Sequence, residues 1–400
     1  MTTTAPASQA SVSETNRSRV LQHLYHHGIS SRAQIAKALG LTPAAITKIT
    51  ARLIEAGAIS ETGDLDGIKN RRSIGLTLDT SLFHVVGVKF ARSLVEIGLF
   101  DLSGRRLHLE DLPTVSEDTI PATLDAIRER VNRLIATDDA IVAVGIAVPG
   151  PYLRDEGRTA IVSSMRGWRT VTFTDEFADA FPVPAYIEQD ARAGALAHYL
   201  FDPAGTCEHL AYYLLGEGVG LGVIDGGRLV NGAQGAATEI GHVSIDVDGI
   251  PCDCGNVGCL ERYCSAVAIH DELRRSGIVG DVDGLTHAQA CQRLFDAAAR
   301  GDREAGALVH RVGRYAGYGC VTILNAYNPR RIVIGDIVAR AGDPLLEAIR
   351  EVVAERAIGD IARATDIALS PLPTDAAVTG AAAVAITQFL EHPSVFLGDV

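Results

Sequence analysis

An α/β body behind a small, mostly helical head is the fold this sequence predicts, on three observations. Near residue 80 the apolar pattern changes rhythm: three segments of helical period give way to strand-length apolar runs that alternate with long helical patterns. The charge changes at the same place. Met1 to Thr80 holds nine Lys/Arg and six Asp/Glu, a net of +3, whereas the remaining 320 residues hold 27 basic and 43 acidic side chains, a net of −16. Third, Glu239-Ile-Gly-His242 and Cys252-Asp-Cys254-Gly-Asn-Val-Gly-Cys259-Leu-Glu261 concentrate one His, three Cys and two terminal carboxylates in a Gly-punctuated stretch. Four hundred residues exceed one ordinary core and imply two or three domains.

The head reads as a winged helix-turn-helix. Residues 1–15, rich in Ser and Thr, are expected to be an unstructured lead-in, and the head itself to span 16–80. Arg19 to His27 places Val20, Leu21 and Leu24 on one helical face, and Gly28 stops it. Ser30 or Ser31 can cap a second helix, with Gln34 spaced for a capping box, Ile35, Ala36 and Leu39 inward and Gly40 at its end. Thr42-Pro43 supplies an N-cap and an N1 proline for a third helix to about Ala56, with Ile46, Ile49 and Leu53 inward. Two short helices joined at Gly40-Leu41-Thr42 have helix-turn-helix spacing, in which the second helix enters the major groove. Ala44, Ala45, Thr47 and Lys48 would then face base edges, with Lys37 and Arg52 placed for phosphates. Strand, turn and strand from Ala58 to Leu78 make a wing whose Lys69, Arg71 and Arg72 can reach phosphate or the minor groove. The competing reading is a three-helix protein-contact module with solvated charges; caps, turn and wing together favour operator DNA as partner.

In the body, His84 to Asp101 reads as two strands back to back, followed by a helix over Thr119 to Ala136 and a buried strand over Ile141 to Ala147 that ends at Pro149-Gly150-Pro151. Further strands are expected at Ala185 to Glu188, Leu210 to Leu215 and Arg331 to Ile334. Helices are expected near 191–200, 288–299, 303–326 and 343–356, with an Ala-rich one over Thr379 to Leu390. The run Gly216-Glu-Gly-Val-Gly-Leu-Gly222 leads into a strand, so it does not read as a dinucleotide loop. No apolar run reaches the ~20 residues of a membrane span. The first 18 residues lack the apolar core of a secretory signal, so a cytoplasmic protein is expected. Seven cysteines, an odd number, do not suggest a disulfide framework. His242, Cys252, Cys254 and Cys259 form instead a tetrahedral set of the donors zinc prefers, and with no position left open the metal is expected to be structural.

The Cys-x-Cys-Gly-x-x-Gly-Cys-x-Glu pattern, with Val148-Pro-Gly-Pro151 and Thr379-Gly-Ala-Ala-Ala383, closely resembles the ROK family of repressors and sugar kinases, over residues from about 83 to 395. The resemblance implies a two-lobed, actin-like (ribonuclease-H-like) sugar-kinase fold. The first lobe would comprise 83–190 plus 375–400, and the second, with the same four zinc ligands, 191–374. It also implies a sugar site at Asp190, Glu239, His242 and Glu261, where carboxylates suit neighbouring hydroxyls; Asp190 could alternatively cap the helix behind it. Gly167-Trp168 matches a sugar-side loop, with Trp168 either wall or core.

Departures from the family pattern are concentrated on the phosphate side. Where sugar kinases of this fold carry Asp-x-Gly-Gly-Thr, this chain has Lys89-Phe90-Ala91-Arg92-Ser93. Gly-Thr-Gly is Gly216-Glu217-Gly218, and Gly-Gly is Gly335-Asp336. A carboxylate facing a phosphate in a confined site is repulsive, and phosphoryl transfer depends on positioning and metal electrostatics. On the sugar side, Gln189 and Ser164 replace family asparagines and Thr238 a glycine. The expectation is therefore a sugar-responsive DNA-binding regulator, most naturally a repressor and homo-oligomer, with no catalytic residues. A sugar kinase with an added head, and a regulator controlled by a partner protein, are the rivals.

Overall fold

The computed structural model describes residues 9–65, 73–90, 94–160, 166–372 and 376–398. Helix α1 (Gln9–His27) begins ten residues before the expected Arg19, so residues 9–15 of the expected unstructured lead-in are helical. Tertiary contact overrides the weak helix propensity of the Ser/Thr-rich segment: the Ser394 amide donates to Glu14 Oε1 at 3.1 Å. Strand β1 (Ser30–Ser31), which the sequence pattern did not indicate, leads into α2 (Arg32–Leu39) and α3 (Pro43–Glu55). Ser31 and Gln34 form the reciprocal capping box, and Thr42 caps α3. Strands β2 (Ile59–Leu65) and β3 (Ser73–Leu78) form the wing, with β3 between β1 and β2. Residues 66–72, with Lys69, Arg71 and Arg72, lie outside the described residues, as do Ala91, Arg92, Ser93 and Ser164.

The body contains two five-stranded sheets of one topology. The first comprises β4 (His84–Phe90), β5 (Val95–Asp101), β6 (Arg106–Asp111), β7 (Ile141–Val148) and β10 (Ala185–Gln189), in the order β10-β7-β4-β5-β6. Between them lie α4 (Ile120–Thr137), the small hairpin β8 (Tyr152–Leu153) and β9 (Arg158–Thr159), and α5 (Phe173–Phe177). Helix α6 (Asp190–Phe201) then leads to β11 (Leu210–Leu215), β12 (Val219–Asp225) and β13 (Arg228–Leu229). After α7 (Glu261–Cys264), α8 (Ala266–Ser276), α9 (His287–Ala299) and α10 (Arg303–Tyr327) come β14 (Arg331–Gly335), α11 (Asp343–Arg356), α12 (Gly359–Ala364) and β15 (Asp366–Leu369). The second sheet runs β13-β12-β11-β14-β15. In each sheet a three-stranded antiparallel meander is extended by two parallel strands. This is the duplicated architecture of the sugar-kinase fold.

Helix α13 (Ala376–Glu391) packs on β4 and β7 of the first sheet and on α6; α14 (Pro393–Leu397) follows it. Its small side chains explain the closeness of that packing. A Cβ on Gly145 would lie 1.8 Å from the Ala381 carbonyl oxygen, so β7 and α13 meet backbone to backbone. Trp168 belongs to the core: it is fully buried and packs on Phe90 and Phe173.

Candidate functional site

A cleft of about 300 Å³ lies between the two sheets. Its lining brings together Lys89, Glu217 and Asp336 with Asp190, Glu239, His242 and Glu261. Each is positioned by a strand or helix end. Lys89 is on β4, Asp336 follows β14, and Glu217 is in the turn between β11 and β12. Asp190 opens α6, and its Oδ1 accepts the Ala191 amide at 2.7 Å. The cap itself comes from Gln189, whose side chain accepts the Arg192 amide at 3.0 Å, so Asp190 is not the N-cap. Glu261 Oε2 accepts the Val219 amide at 3.0 Å, which ties the end of the Cys/His loop to β12. Gly241 lets that loop approach: its Cβ would meet Val219 O at 2.2 Å.

The cleft is acidic. Glu96, Asp190, Glu217, Glu239, Glu261 and Asp336 line it against Lys89 and Arg340. Burial works against the Lys89 ammonium, but Asp336, Glu96, Asp190 and Glu217 outweigh it and hold the lysine above its ordinary value. Burial, then the Asp190 charge, pushes Glu239 up to about 8, with Arg192 pulling the other way. A carboxyl that keeps its proton near neutrality can donate a hydrogen bond where its neighbours accept. Two non-glycine residues beside the cleft hold the left-handed backbone that glycine favours: Thr238 has φ 70° and Asp336 φ 77°. Asp336 offsets part of that cost by accepting the Ile337 amide at 2.6 Å, and the Thr238 hydroxyl donates to Leu221 O.

His242, Cys252, Cys254 and Cys259 converge, with one donor atom from each lying within 4.8 Å of the others. Cys254 Sγ and Cys259 Sγ are 3.5 Å apart, and Cys252 Sγ is 3.8 Å from His242 Nδ1. A zinc tetrahedron with bonds of ~2.3 Å has edges of about 3.8 Å, so the donor set fits. Burial, then Cys254 and Cys252, pushes the Cys259 thiol up to about 12; a cation would reverse that by favouring the thiolate.

One network carried no sequence signal. Arg192, fully buried, donates to Glu188, to the Asn231 side chain and to Gly235 O, while Arg154 donates to Glu188 Oε2 at 2.7 Å. It fastens the 231–235 loop of the second sheet to β10 of the first, directly behind Asp190. Charged residues of this kind ordinarily read as surface.

In the head, α3 buries Ile46, Thr50 and Leu53 and leaves Ala44, Thr47, Lys48 and Arg52 exposed; Ala45 is half-buried, and Lys37 on α2 is exposed. Thr50 is an inward residue that the apolar pattern missed. It is held by Arg32 Nε at 3.1 Å and by its own bond to Ile46 O at 2.8 Å.

The ROK family model matches residues 85–388, three quarters of the chain. The chain belongs to the ROK family. A MarR family model matches residues 15–66, over the head. The N-acetylglucosamine repressor of Escherichia coli O6:H1 is 32% identical over 357 residues, covering 87% of this chain and 86% of that protein. Among solved structures, a ROK family transcriptional regulator described as a homologue of the E. coli MLC protein superposes with a TM-score of 0.79 at 27% identity, over 96% of this chain and 98% of that one. A ROK family glucokinase from Streptomyces griseus, in complex with glucose and AMPPNP, superposes with a TM-score of 0.65 at 27% identity. It covers 75% of this chain and 98% of its own. The regulator therefore matches the ROK body and the head together.

Proposed function

We propose that this ROK protein is a DNA-binding transcriptional regulator, most naturally a repressor, whose body senses a sugar. The supporting observation is the combination of an open α3 face on a winged helix-turn-helix with a sugar-kinase cleft whose phosphate side is lined by Glu217 and Asp336. Ala44, Ala45, Thr47 and Lys48 would meet base edges, Lys37 and Arg52 the phosphates, and Arg71 and Arg72 the backbone or minor groove beside the wing. Two copies in a homodimer or homotetramer would present paired heads to a palindromic operator. Asp190, Glu239, His242 and Glu261 would hold the sugar, with Glu239 as a protonated donor among acceptors. Zinc on His242, Cys252, Cys254 and Cys259 would hold the loop still. His242 Nδ1 is on the thiol side, which leaves Nε2 for the cleft. Its chemistry there is structural: it fixes ligand geometry. The domain division at 16–80, 83–190 with 375–400, and 191–374 is part of this reading.

Similarity to a glucokinase makes the rival concrete: an ATP-dependent sugar kinase with an added head. A thermal-shift panel of N-acetylglucosamine, glucose, xylose and ATP, followed by a phosphorylation assay, separates the two. The proposal expects stabilisation by a sugar, none by ATP, and no turnover. Phosphorylation abolished by Asp190→Ala would refute it.

A further inference from the structure

The DNA-binding head is attached to the body at a place that suits a readout of cleft closure. Helix α1, the first helix of the head, is held at its N-terminal half by the Ser394 amide on Glu14, and near its C-terminal end two consecutive residues make polar contacts with the body. Tyr25 Oη donates to Leu102 O at 2.9 Å, in the turn after β5 of the first sheet. His26 Nδ1 shares a hydrogen bond of 3.1 Å with Thr206 Oγ1, in the connection into β11 of the second sheet. The His26 ring also lies 5.1 Å from that of Tyr199.

Tyr199 is near the C-terminal end of α6, and Asp190, in the cleft, is its first residue. Twelve helical residues span about 18 Å. Ala191 to His198 are all buried, against α13 on one side and β11 and β12 on the other, so a displacement at Asp190 is not absorbed by loose packing along the way.

We propose that the Tyr25–Leu102 and His26–Thr206 contacts, with the Tyr199 end of α6, form the joint that passes lobe closure to the DNA-binding head. The inference rests on the sugar-sensing reading above and specifies its regulation. One anchor moves with the first sheet and the other with the second. A change in the angle between the sheets shifts Leu102 relative to Thr206, and α1 must turn or release one of them. A sugar that favours the closed lobes then changes the orientation offered to DNA, a differential affinity of the kind coupling requires.

The test uses the full chain and a DNA duplex that the wild-type protein selects from a random library. Duplex affinity is measured by fluorescence anisotropy with and without N-acetylglucosamine, glucose or xylose. Sugar affinity is measured by calorimetry. Wild type is expected to show a sugar-dependent affinity ratio in the range of roughly 5- to 150-fold usual for coupled sites. In His26→Ala and in Thr206→Val the ratio is expected to fall to within about twofold of unity, while duplex affinity without sugar and sugar affinity without duplex stay near wild type. Tyr25→Phe, which removes only the hydroxyl, should lower the ratio in the same way. Hydrogen exchange of the 19–27 amides, sugar-responsive in wild type, should lose that response. Variants that keep the wild-type ratio, or that lose duplex or sugar affinity outright, overturn the inference and leave the sugar-sensing reading standing. A wild-type protein indifferent to all three sugars overturns that reading and the inference with it.

Discussion

Replacing His198 by Gln should flatten the acid limb of this protein's stability. His198 lies near the end of α6, only 1% exposed, stacked on Tyr212 with ring centroids 4.9 Å apart. Its Nε2 is 3.1 Å from Ser370 Oγ, while Nδ1 has no partner among the described residues. Burial depresses its pKa from 6.5 to about 4; Asp202 opposes the shift and Arg331 adds to it. With the folded value below the unfolded one, the unfolded chain binds the extra proton between those limits. The His198 contribution is therefore fully present above about pH 6.5 and lost as pH falls toward 4. At 1.36 kcal/mol per unit, the loss is about 2 kcal/mol by pH 5 and roughly 3 kcal/mol below pH 4. Glutamine carries no proton-linked charge, so urea unfolding of both proteins at about pH 7.5 and pH 5 isolates the effect as a double difference. Wild type should lose about 2 kcal/mol more than the variant over that interval. Parallel losses would refute the claim that α6 keeps a neutral imidazole in a closed interface.

Three further outcomes follow from the structure. Gly145→Ala places a methyl 1.8 Å from the Ala381 carbonyl oxygen and forces α13 off the first sheet, with an expected loss of about 3 kcal/mol or more by chemical denaturation. Cys254→Ser removes one of four converging donors; metal analysis should show zinc content falling from about one per chain toward zero, with a lower melting temperature that a chelator does not lower further. Lys48→Ala, on the exposed face of α3, should weaken binding to the selected duplex by about 1–3 kcal/mol and relax base preference at one position; a uniform loss across sequences, with the salt slope lower by about one, would place Lys48 on a phosphate instead.

The legible parts of the sequence were those where local chemistry dictates geometry. Ser31 with Gln34, and Thr42 with Pro43, mark helix starts because caps and N1 prolines act within one turn. The four converging donors could be read from residue type and number, since few side chains suit one metal. The Ala-rich final helix could be placed on the first lobe through family likeness, but Gly145 and Ala381, more than 200 residues apart, give no local sign that they touch. Arg192 and Glu188 remained hidden for a related reason: as charged residues they read as surface, and only the fold brings Asn231 and Gly235 to satisfy them in the interior. The start of α1 carries no local signal because part of its support is α14, at the other end of the chain.

Operator binding that a sugar controls is the property on which the proposed function depends. The most direct measurement is the affinity of the wild-type full chain for its selected duplex across a sugar titration at fixed salt, with ATP and sugar phosphorylation followed in parallel. Sugar sensing in the cleft predicts a saturable, sugar-dependent shift in affinity, abolished by Glu239→Ala, with no phosphorylated product. Tight duplex binding that no sugar alters, or turnover of ATP with sugar, would contradict it.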